Sequence, residues 1–74
     1  MFRKMKLRKE IRKCRKRIEA FEKKRTRSQA ALTEAILTQS QPNDSDVDYF
    51  NLFTQLIERE RDKMHGLTEE LNRL

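Results

Sequence analysis

Cations are the chemistry this chain carries most of. Residues 1–28 hold 14 lysines and arginines against 3 acids, and residues 29–74 hold 4 against 9. A segment so charged attracts phosphate backbones, acidic proteins or anionic lipid heads. Arg3, Lys4, Lys6, Arg8 and Lys9 crowd the first nine residues, and Arg12, Lys13, Arg15 and Lys16 follow. These nine are the candidate contacts for an anionic partner, whether nucleic acid or acidic protein. No aromatic platform for stacking bases and no Asn or Gln cluster for reading base edges accompanies them. Their attraction is therefore to charge, not to a base sequence. Phe2, Met5 and Leu7 interleave the cations without forming one clean stripe, which weighs against a membrane-surface helix.

The remaining reactive side chains point away from catalysis. Cys14 is the single cysteine, so no internal disulfide framework exists, and its spacing makes it a small buried hydrophobe. His65 has no second His or Cys near it in sequence, as a metal site or an acid–base pair would need. Asp44, Asp46 and Asp48 alternate, but the Gly and distal Glu of a calcium loop are missing. Helix capping accounts for them better. No set of convergent catalytic groups is present and no cofactor is implied, so the chain is read as a non-enzyme.

Two charges carry structural information instead. One heptad seam runs Ile11, Cys14, Ile18, Phe21, Arg25, Ser28, Leu32, Ala35; a second runs Phe50, Phe53, Ile57, Glu60, Met64, Leu67, Leu71, Leu74. Steps of 3 and 4 keep such residues on one stripe of a helix. Arg25 and Glu60 are the one charge in each. Folding the chain back so that paired residue numbers sum to 85 sets Arg25 against Glu60. Registers one heptad away, at 78 or 92, set each charge against an apolar residue, at about 1–3 kcal/mol apiece unless it reaches water. The 85 register is therefore the expected one, with Arg25 and Glu60 as the register pair. It also brings Glu22 near Arg61, Arg17 near Glu70, Lys24 near Lys63 and Cys14 opposite Leu71.

The elements that must position these residues follow from composition. The chain has 74 residues, 35% hydrophobic and 41% charged, with mean hydropathy −1.03. Such a chain is disordered unless a periodic stripe folds it, and the heptads make it a coiled coil. Helix formers without Gly or Pro predict a first helix over about 3–38. The stretch over 39–45 is turn chemistry, with Pro42 ending the first helix and Ser45 or Asp46 capping the second. The second helix is predicted over about 46–74, with Gly66 facing outward. In the 85 register Ile11 meets Leu74, so residues 1–10 form a basic overhanging arm.

The fold class is all-α: an antiparallel two-helix coiled-coil hairpin. Ile36, Leu37, Tyr49, Leu52 and Leu56 widen the apolar face near the turn beyond what one seam covers. They are the expected contact with a second copy or a partner helix, completing a four-helix bundle dimer. No run of 18 apolar residues provides a membrane span. The basic start is not followed by the apolar stretch of a secretory signal, and the lone thiol suits a reducing, intracellular setting. The expected function is a protein–protein interaction module, a small regulatory or adaptor protein or a coiled-coil piece of a larger assembly. The alternative is a nucleic-acid-binding accessory protein using the basic helix.

Overall fold

The computed structural model describes residues 2–74. Two helices, α1 (Phe2–Leu37) and α2 (Asp44–Arg73), pack against each other along a rod of 56 × 16 × 14 Å. At 1.5 Å per residue, the 36 residues of α1 account for nearly all of that length. There is no strand among the described residues. The core is a thin line: Leu7, Cys14, Ile18, Ser28 and Ala35 from α1 and Ile57 from α2 are buried. Cys14 and Ile57 are the most enclosed.

The turn is built by backbone geometry as much as by Pro42. Gln39 has a φ of 55°, the left-handed region. Its amide donates to the Ile36 carbonyl and the Ser40 amide to the Ala35 carbonyl. This pair of bonds is the Schellman arrangement, which satisfies carbonyls left free at a helix end. A glycine usually takes the left-handed position, and here glutamine does. The helix therefore stops at Leu37, before Pro42 is reached.

The next helix is capped by Asn43, not by Ser45 or Asp46 as expected. The Asn43 backbone is extended, and its Oδ1 accepts from the Ser45 amide at 3.1 Å and the Ser45 hydroxyl at 2.9 Å. Starting α2 at Asp44 places Asp44 and Asp46 in its first turn, where carboxylates favour the positive end of the helix. The opposite holds in α1, which has no acid in its first turn and starts with Arg3 and Lys4.

The register differs from the expected one by a heptad. Arg17 reaches Glu60, Arg25 reaches Thr54, and Phe21 stacks with Phe53 at 6.3 Å between ring centroids. The two polar pairs sum to 77 and 79, near the 78 register, and the longer aromatic contact to 74. Ending α1 early moves the centre of the turn toward residue 40 and slides α2 along α1. Leu7 is buried in this register. At 85 it would have had no partner. Residues 2–10 consequently do not overhang α2. Arg3 donates from Nη2 to Glu70 Oε1, so this cation of the expected arm is bound within the hairpin. The Glu22–Arg61 pair forms at 3.0 Å in the observed register too.

Candidate interaction surfaces

Arg25 and Glu60 do not pair with each other. Arg25 extends Nη1 to within 3.5 Å of Thr54 Oγ1 and holds its guanidinium 5.9 Å from the centre of the Phe50 ring. Glu60 is served by Arg17 of the flanking position, Nε to Oε2 at 3.1 Å. Both atoms are shielded from solvent, yet the N–H is not aligned along the contact, and neither has a hydrogen bond elsewhere. The contact is an ion pair held at close range without a well-directed hydrogen bond. Arg17 also donates from Nη2 to Cys14 Sγ at 3.4 Å. Burial pushes the Glu60 carboxyl up and is the largest single influence on it. The Arg17 contact, the Cys14 thiol and the Lys63 charge together outweigh it, so the carboxyl titrates below its ordinary value.

Seam charges thus find partners one position off the seam. Lys24, expected to face Lys63, lies 5.9 Å from the centre of the Phe53 ring. Arg17, expected near Glu70, takes Glu60, and Glu70 takes Arg3. Arg17 is the residue that reasoning from the seams alone missed. Its signal was present as a cation next to the seam, four residues from Phe21 and three from Cys14.

At the turn end the widened apolar face is exposed. Ile36 is 73%, Leu37 74%, Tyr49 53% and Leu52 46% exposed, while Leu56 is half-buried. Tyr49 stacks on Phe53 at 6.1 Å between ring centroids and stays about half exposed. Nothing in the hairpin covers this surface.

At the open end the basic residues surround apolar ones. Phe2 is 89% and Met5 66% exposed, and with Ile11 and Leu71 they line a groove open to solvent. Lys6, Arg8, Lys9, Arg12 and Arg15 border it. Lys4, Lys6, Arg8, Lys9, Arg12, Arg15 and Lys16 have no ion-pair partner among the described residues, whereas Lys13 lies 3.5 Å from Glu10.

His65 faces Glu69 one turn on, at 3.1 Å, and both are exposed. No group of three or more potential metal ligands occurs among the described residues. No helix is long and apolar enough to cross a membrane. Compared with known proteins, the chain matches no family model, no curated protein and no solved structure.

Proposed function

We propose that the hairpin is a non-enzymatic protein–protein interaction module, a small regulatory or adaptor unit or a coiled-coil piece of a larger assembly. Its turn end is the surface it presents, and pairing there extends two helices to a four-helix bundle. One observation carries this reading: Ile36, Leu37, Tyr49 and Leu52, all in the half of the rod toward the turn, are about half exposed or more. Grouped apolar surface of this kind marks association sites. Leu52→Glu places a charge in that contact without touching the hairpin core. Sedimentation should show the parent heavier than a monomer and the variant monomeric, with helicity retained. An unchanged mass, and an unchanged melting curve, would exclude the turn end as the association surface.

A second reading is favoured by the unpaired cations of α1. A row of Lys and Arg without acidic partners suits a phosphate backbone, so the helix could serve a nucleic-acid-binding accessory role. Replacing Lys4, Lys6, Arg8 and Lys9 with Gln should then weaken binding to a short duplex. It should also reduce the salt slope by about one unit per lost phosphate contact. A parent that ignores the duplex at low salt excludes this reading.

A further inference from the structure

The two ends of the rod are chemically complementary. Residues 28–58 contain no lysine or arginine and hold Glu34, Asp44, Asp46, Asp48 and Glu58. Asp44, Asp48 and Glu34 are exposed and have no ion-pair partner among the described residues. They share the turn-side stretch of the chain with exposed Ile36, Leu37, Tyr49 and Leu52. The open end, at the far side of a rod 56 Å long, has the same plan with the charge inverted: Phe2 and Met5 exposed among unpaired cations. The unsatisfied first-turn amides of α1 add to the positive potential there.

Each end therefore displays apolar surface bordered mainly by charge of one sign: Glu70 and Glu10 hold Arg3 and Lys13 at the open end, and the groove's other cations have no ion-pair partner among the described residues. Pairing like ends would bring acids onto acids or cations onto cations, and such juxtaposition costs several kcal/mol. Pairing unlike ends covers apolar surface on both sides and neutralises the surrounding charge in the same step. We propose that the turn end of one copy docks on the open-end groove of a second copy. This rests on the reading that the turn end is an interaction surface, and it names the occupant as the chain itself. Laid antiparallel, two copies can make the junction at both ends.

A charge swap tests it. One variant carries Lys6→Glu, Arg8→Glu, Lys9→Glu, Arg12→Glu and Arg15→Glu at the open end. The other carries Glu34→Lys, Asp44→Lys and Asp48→Lys at the turn end. Asn43, the cap of α2, is kept in both. The parent should show roughly a twofold or greater rise in mass over the monomer at low salt. That rise should vanish as salt goes from about 0.05 M to about 1 M and the Debye length shrinks to about 3 Å. Each variant alone should be monomeric and helical. An equimolar mixture should regain the associated mass, because every unlike-end junction between the two variants again joins opposite charges.

Three results overturn the inference. If the open-end variant associates like the parent while Leu52→Glu does not, the turn end pairs with itself; the proposed function then stands and the unlike-end junction falls. If both variants are helical and their mixture stays monomeric, the junction falls as well. If the parent alone is monomeric at low salt, or its mass is insensitive to salt, the occupant is not a second copy held by charge. The salt series needs no variant, so the test survives a variant that fails to fold.

Discussion

Arg17 Nε lies 3.1 Å from Glu60 Oε2, and this contact, not one between Arg25 and Glu60, neutralises the charge in the α2 seam. It explains how a register that sets Ile18 opposite Glu60 is tolerated. A flanking arginine brings its guanidinium to the seam, against both Glu60 and the Cys14 sulfur. The Glu60 carboxyl is consequently held below its ordinary value. A depressed carboxylate contributes stability that is fully present above the unfolded value, about 4.3, and is lost as pH falls through the lower folded value. The urea midpoint of the parent should therefore fall as pH drops below about 4.3. Glu60→Gln should flatten that fall while lowering the midpoint at neutral pH. An acid limb of equal steepness in both proteins would show that the pair does not set it.

Replacing both members tests the same contact differently. Arg17→Met with Glu60→Leu exchanges a poorly directed ion pair for apolar packing, a change that is often neutral or stabilising. The double variant should melt at or above the parent temperature. Arg17→Met alone should melt lower, because Glu60 is then left without its cation. A single variant as stable as the parent would mean that Glu60 reaches water unaided.

Gln39 bears the left-handed backbone that ends α1. Gln39→Gly should raise stability by about 1 kcal/mol, since a side chain with a Cβ is strained there and glycine is not. Asn43→Ala should act in the opposite direction, by about 0.5–2 kcal/mol, through loss of the cap on α2. Thermal melts of the two variants would place them on opposite sides of the parent. A destabilised Gln39→Gly variant would show that the Schellman turn is not the end of α1 in solution.

Register can be read by cross-linking. A heptad is about 10 Å along a helix, whereas a disulfide needs Cα atoms within about 7 Å. With Cys14 replaced by Ser, Ile11→Cys paired with Leu67→Cys should oxidise readily. Ile11→Cys paired with Leu74→Cys should not. The reverse outcome would restore the register in which Arg25 meets Glu60.

The core itself is thin enough for one residue to matter. Ile57 is the most enclosed large side chain of the rod. Ile57→Ala should cost about 2–5 kcal/mol, whereas Ile36→Ala, on the exposed face, should cost little within a single hairpin. Equal effects would mean that Ile36 is covered in solution, and the concentration dependence of the melt would show by what.

The two helices and their stripes were legible because 3- and 4-residue steps admit no other regular element. The register was less so, because heptads are degenerate under shifts of seven. The 85 register is favoured in sequence by the meeting of Arg25 with Glu60 and by the turn signals around Pro42 and Asn43. In the structure Arg17 and Thr54, beside the seams, and Phe50 within one supply the partners that each charge takes instead. The turn was placed too far along because Pro42 is a conspicuous signal. A glutamine at a left-handed position is not one, since its side chain gives no hint of the φ it adopts. The apolar face at the turn was readable as an excess over one seam. The groove at the open end was not, because it exists only once Leu71 is brought beside Ile11.

Cys14 is the chain's one thiol and is fully enclosed in the seam of α1, in the half of the helix toward the open end. An alkylating reagent reaches it when the helices separate, so its labelling rate is a clock for opening of the rod. Any ligand that grips both helices slows that clock, and one that holds α1 alone leaves it running. The molecule thus carries a built-in way to ask which of its surfaces a partner has taken.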